Sequence, residues 1–181
     1  MFSQELRDQA DHLLTRMRSA KLGVATAESC TGGLICALLT EIPGSSDVVD
    51  RGFVTYSNRA KTEMLGVPAD LIDRVGAVSR ETALAMAAGA VTRSRADLAV
   101  AVTGVAGPGG GSPEKPVGLV HLAVHHRSGR SWHREQRYGD LGRGGVRMAT
   151  VITAIEMLDE AVTAIETAIE IGVESGAVSR S

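Results

Sequence analysis

The segment Ala96 to Thr103 carries an uninterrupted apolar run, Leu98-Ala99-Val100-Ala101-Val102, and empties into Gly104-Val105-Ala106-Gly107-Pro108-Gly109-Gly110-Gly111. A strand apolar on both faces must be covered on both, so helices have to lie above and below a sheet that contains parallel strands. The rest of the chain supplies those helices and strands in an alternating order. Residues 3–20 place Leu6, Leu13, Leu14 and Met17 on one helical stripe behind a Ser3 cap. Leu22 to Ala27 reads as a strand, Glu28 to Gly33 as a turn, and Leu34 to Thr40 as a helix closed by Pro43-Gly44. Val48 to Tyr56 predicts a second strand, Ser57 to Leu65 a polar connection with a helical turn, Pro68 to Arg74 a short helix, and Ser79 to Arg93 an alanine-rich helix. Val117 to His125 and Trp132 to Tyr138 form a hairpin around Ser128-Gly129, and Val146 to Ile171 a final helix.

The expected fold is α/β, a three-layer α/β/α sandwich around a mixed, mostly parallel sheet. With 181 residues, 44% of them apolar and 22% charged, the chain can bury about 70% of its unfolded surface as one domain without disulfides. Residues 1–165 are assigned to that domain and 166–181 to a helix end and a tail expected to fray. Cys30 and Cys36 match neither a zinc pair nor a disulfide framework, which suits a reducing cytoplasm. The N-terminus lacks a signal-peptide layout, and no apolar run approaches the ~18 residues of a membrane span. A net charge of −2 and 3% aromatic residues argue against nucleic acid as a partner, since neither a basic field nor a stacking platform is available. The apolar faces of the first and last helices predict self-association, a dimer first.

In open α/β sheets ligands bind beyond the carboxyl ends of strands, which directs attention to the residues after Ala27, Tyr56 and Thr103. Ser29 lies at a strand-to-helix turn where the amides of Thr31, Gly32 and Gly33 are candidates for an anion or oxyanion, and where a serine can attack a carbonyl. The alternative is that Ser29 or Thr31 is a helix cap and the glycines serve packing. The histidines, His12, His121, His125, His126 and His133, fall on the first helix and the hairpin, away from those strand ends. Lysine is scarce: Lys21, Lys61 and Lys115 are the three in the chain, and every other basic residue is an arginine, which stays protonated. Lys61 follows the second strand, where burial and neighbouring Arg59 can lower its pKa, making a serine–lysine pair possible; a solvated surface lysine is the alternative. The loop 104–111 lacks the Gly-Lys-Ser/Thr ending of a P-loop. Arg143 and Arg147, spaced i, i+4 at the last helix, either fork onto a phosphate or carboxylate or stand exposed. Cys30 reads as a small packing residue.

Taken together, Ala27-Glu28-Ser29-Cys30-Thr31-Gly32-Gly33, Gly52-Phe53-Val54-Thr55-Tyr56-Ser57-Asn58 with Lys61 and Leu65-Gly66-Val67, Gly76-Ala77-Val78-Ser79, Thr103-Gly104-Val105-Ala106-Gly107-Pro108 with Gly110-Gly111, and Lys115-Pro116-Val117-Gly118 resemble the C-terminal domain of the competence/damage-inducible CinA family, the nicotinamide-nucleotide amidases. The similarity covers about residues 5–160. The resemblance implies an α/β/α domain that hydrolyses the carboxamide of nicotinamide mononucleotide to nicotinate mononucleotide and ammonia, without metal or cofactor. It implies Ser29 as nucleophile, Lys61 as general base, and Tyr56 and Thr103 next to the reacting centre. Thr31, Gly32 and Gly33 would serve the oxyanion, and Asn58, Gly104, Gly107, Arg143 and Arg147 would meet the rest of a small nucleotide substrate. Where relatives carry Gly-Asp-Arg before the last helix, this chain has Gly139-Asp140-Leu141-Gly142-Arg143, which leaves the phosphate ligand open between Arg143 and Arg147. The length leaves no room for the further N-terminal domain with nucleotide pyrophosphatase activity that some relatives have. A non-catalytic nucleotide-binding module and an amidase for another small amide remain as rival readings.

Overall fold

The computed structural model of the protein describes residues 2–178, with side chains described as far as residue 168. In chain order the elements are α1 (Gln4–Ser19), β1 (Val24–Glu28), α2 (Leu34–Glu41), β2 (Val49–Val54), α3 (Asn58–Leu65), α4 (Ala69–Val75), α5 (Arg80–Thr92), β3 (Leu98–Gly104), β4 (Leu119–His126), β5 (Ser131–Arg137) and α6 (Gly142–Val178). The expected frayed tail falls largely outside the described side chains, and residues 179–181 lie outside the described residues.

The five strands form one sheet in the order β2-β1-β3-β4-β5. β2, β1 and β3 pair in parallel, and β4 is antiparallel to both β3 and β5, so four strands share one direction and β4 opposes them. Alternation along β1 and β3 divides the core in two. Val24, Leu98, Val100 and Val102 pack with α1, α2 and α6 on one face, while Ala25, Ala27, Ala99 and Ala101 pack with α3, α4 and α5 on the other. Three helices on each face make the expected three-layer sandwich. The small alanines on the second face let α5 approach the sheet closely, whereas the branched residues on the first fill the wider space under α6. Each fully buried leucine or valine there contributes about 1.5–3 kcal/mol.

Among the boundaries that differ from expectation, two bear on the site. The stretch after β2 is a full helix, α3, capped by Ser57 Oγ accepting from Ala60 N and closed by Gly66 at a φ of +72° with its N–H on Thr62 O. The final helix begins at Gly142 rather than Val146, which brings both Arg143 and Arg147 into its first turns. β1 leads left to β2 across one face, and the chain then returns to β3 across the other, so the order reverses at the carboxyl ends of β1 and β3.

Candidate active site

Ser29 is the first residue past β1, and its N–H donates to Val102 O of β3 at 3.1 Å, at the reversal point of the sheet. Alternation turns Glu28 and Ser29 to opposite faces. The buried Glu28 carboxylate points under α2, accepting from Thr26 Oγ1 (3.2 Å), Thr31 Oγ1 (2.7 Å) and the amides of Gly33 (3.0 Å), Ile35 (3.0 Å) and Cys36 (2.8 Å). It therefore fills the N-terminus of α2, where unpaired amides and the helix dipole favour a negative charge. Gly32 and Gly33, at φ +61° and +96°, give the turn the left-handed backbone that wraps those amides around the carboxylate.

This corrects the expected anion site. Gly33 N–H is held by Glu28 and Gly32 N–H by Ser29 O at 3.1 Å, so neither amide is free for an oxyanion. Within the turn, the amides of Cys30 and Thr31 have no oxygen acceptor among the described residues, and both lie by the Cys30 sulfur. Burial pushes the Cys30 thiol up to about 11, with the Glu28 charge adding and Lys61 opposing, so it stays protonated at neutral pH.

Lys61 comes from the buried side of α3 and is 1% exposed. Its Nζ lies 3.1 Å from Ser29 Oγ and 2.9 Å from Thr55 O. Burial pushes its pKa below the ordinary lysine value, and the Cys30 sulfur opposes that in part. Among the described residues no carboxylate forms an ion pair with Lys61. Arg59 does not press on it as expected, because its guanidinium is turned to solvent and paired with Glu63 at 2.6 Å. With Thr55 O an obligate acceptor, Nζ donates one N–H to it and a neutral amine has a lone pair left for the Ser29 hydroxyl proton.

None of the remaining candidates hydrogen-bonds the side chain of Ser29 or Lys61. Tyr56 is 61% exposed and its hydroxyl accepts from Arg143 Nη2 at 3.0 Å. Arg143 Nη1 donates to Gly107 O at 3.0 Å, so one guanidinium ties the glycine-rich loop to the end of β2. Arg147 Nη2 donates to Thr31 O at 2.7 Å, clamping the Ser29 turn from α6, and its Nε is buried without a partner. The buried Thr103 hydroxyl donates to Ala77 O at 2.8 Å, which fixes the segment before α5 rather than the serine. Gly104 lies so close to Leu119 O and Val120 Cα of β4 that a Cβ there would stand 2.7 and 2.9 Å from them. Asn58 is exposed and lines a groove of about 340 Å³ between α3 and α4 with Arg59, Thr62 and Ile72. Glu28 and Thr55 were not singled out in advance. A lone carboxylate closing an apolar strand just before a helix start was the available signal for Glu28; a threonine in a strand is ordinary β propensity and gave none for Thr55. Among the described residues no three His, Cys, Asp or Glu side chains converge as metal ligands, and no helix is long and apolar enough to cross a membrane.

Fold and site together define a small α/β/α domain that presents a serine hydroxyl to an internal lysine amine at the switch point of its sheet. The chain belongs to the CinA family, for residues 6–162 match the family model of the CinA C-terminal domain. It is similar to the crystal structure of the competence/damage inducible protein CihA from Agrobacterium tumefaciens, at 60% identity and a TM-score of 0.87 over 90% of this chain and 98% of that one. A CinA superfamily protein from Klebsiella pneumoniae superposes with a TM-score of 0.84 at 30% identity, over 89% of this chain and 99% of that one. A CinA-like protein of Citrifermentans bemidjiense is 48% identical over 158 residues, 87% of this chain and 38% of its own length. One from Akkermansia muciniphila is 61% identical over 110 residues, 61% of this chain and 27% of its own length. The chain thus spans well under half the length of these curated relatives.

Proposed function

We propose that this domain hydrolyses the carboxamide of nicotinamide mononucleotide through a Ser29 acyl-enzyme, with Lys61 as general base. The observation that carries the reading is the 3.1 Å approach of Lys61 Nζ to Ser29 Oγ, with the amine buried and free of any carboxylate partner among the described residues. Lys61 takes the serine proton, Oγ bonds to the carboxamide carbon, and the C–N bond breaks as Lys61 returns the proton to the departing ammonia. Water then adds to the ester, giving a proton to Lys61 that passes back to Ser29 Oγ as nicotinate mononucleotide leaves. The amides of Cys30 and Thr31 are the proposed oxyanion donors, each worth about 10²–10³ in rate. Arg143 and Arg147, reaching over the strand ends from the start of α6, are the proposed phosphate ligands.

The test is ammonia release from purified protein given nicotinamide mononucleotide or, separately, nicotinamide, which lacks the phosphate. Release is expected from the nucleotide alone. Ser29→Ala is expected to abolish release while binding persists; an active alanine variant would rule out the covalent route, and a silent wild-type protein the assignment of nicotinamide mononucleotide as substrate.

A further inference from the structure

Thr55 follows β2, and its N–H donates to Glu28 O at 2.8 Å, so the β1–β2 ladder runs one residue past Val54. Continued alternation puts Thr55 on the Phe53 face, the one α3 covers. Its carbonyl already accepts from Lys61 Nζ at 2.9 Å. Its hydroxyl is buried without a hydrogen-bond partner, an arrangement shared among the described residues by Arg147 Nε alone. Such orphans are rare in folded proteins and call for a cause.

Proton bookkeeping at Lys61 supplies one. A neutral amine has two N–H groups and a lone pair, and its two present neighbours, Thr55 O and the Ser29 hydroxyl, suit that form. Once the serine proton is transferred, Nζ carries three N–H groups and needs a further acceptor where, among the described residues, no carboxylate pairs with it, the Glu28 carboxylate being taken up by the start of α2. We propose that Thr55 is a positioning residue whose hydroxyl accepts from the Lys61 ammonium formed during turnover. The assignment rests on the serine–lysine reading of the site. It adds no co-reactant: the proton comes from Ser29 Oγ, and the electron pair left on that oxygen forms the bond to the carboxamide carbon. Of the charged and titratable groups on the elements near the amine, Cys30 faces it from the serine turn, the Glu28 carboxylate is held at the start of α2, Tyr56 is held by Arg143, Arg59 pairs with Glu63 on the outer side of α3, Asp70 pairs with Arg74 on α4, and Arg93, just past α5, lies against Gly66.

The experiment follows Lys61 Nζ directly by ¹⁵N NMR titration in the unliganded protein. Three lysines make three signals, and the one lost in Lys61→Met is Lys61. Thr55→Val keeps the shape and removes the hydroxyl. It is expected to melt at or above the wild-type temperature, to titrate Lys61 at lower pH, and to lose about tenfold in kcat at unchanged KM, the scale of one hydrogen bond to a charged group. The acid limb of the pH–rate profile should move down with the titration. Thr55→Ser should restore both readouts. A Thr55→Val protein with wild-type Lys61 titration overturns the assignment, as does a serine variant that behaves like the valine one. If the wild-type protein releases no ammonia, the assignment of nicotinamide mononucleotide as substrate falls on its own, and the titration, which needs no turnover, still decides the role of Thr55.

Discussion

Replacing Glu28 with glutamine tests whether one buried carboxylate holds the turn that carries Ser29. Its two oxygens divide five donors: Oε1 serves Thr26 Oγ1 and Cys36 N, and Oε2 serves Thr31 Oγ1, Gly33 N and Ile35 N. Glutamine keeps the shape but has a single oxygen, best placed at the Oε2 position. Its amide nitrogen then meets Cys36 N–H donor to donor. The Thr26 hydroxyl can turn and accept; the Cys36 amide cannot. One buried donor left unpaired costs about 1–3 kcal/mol. The three surviving bonds fall from ionic to neutral strength, and the relief of an uncharged side chain offsets part of that loss. The net is about 3 kcal/mol, or roughly 6–12 °C in melting temperature for a chain of this size. Calorimetric melts of wild type and Glu28→Gln at neutral pH measure it. A variant melting within about 2 °C of wild type would show that the carboxylate does not hold α2 and refute the account of how the turn is built.

Lys61→Met retains the apolar stem and removes the amine, so it is expected to fold and to lose turnover in the ammonia assay. Because burial lowers the folded pKa of Lys61, its cost to the fold is complete below that value and fades as pH rises to the unfolded value near ~10.4. Urea titrations across that range should show the stability advantage of the methionine variant shrinking with rising pH; a gap independent of pH would contradict the burial argument. Gly89→Ala adds about 1 kcal/mol of helix propensity to α5, yet its Cβ would run into the backbone of Leu65 on α3. A net loss of about 1–3 kcal/mol is expected in the urea midpoint, with reduced activity as α3 shifts Lys61; a raised midpoint would show slack between the two helices.

Much of this architecture is legible in chain order. The two-faced apolar run in β3, the stripe on α1 and the caps at Ser3 and Ser79 come from interactions between residues a few positions apart. Such patterns favour the same element wherever the chain lies, which is why the layers and the order of elements could be read. The α3 helix was underestimated because its sequence is polar on most positions, and Lys61 looks like part of that solvated side until the sheet beneath it is known.

The sequence by itself determined the sandwich, the three lysines among which any amine base must lie, and the motif order that marks the family. Only the tertiary structure decided that Ser29 and Lys61 meet, since they lie 32 positions apart and are joined through the parallel register of β1 and β2. It also decided which amides of the turn have no oxygen acceptor among the described residues. Adjacent residues of a strand point to opposite faces, so the Glu28 carboxylate goes under α2 and takes the helix N-terminus, while the Ser29 hydroxyl goes toward α3 and the lysine. Local preference sets each element; strand register and helix placement, which depend on the whole core, set which side chains share a site.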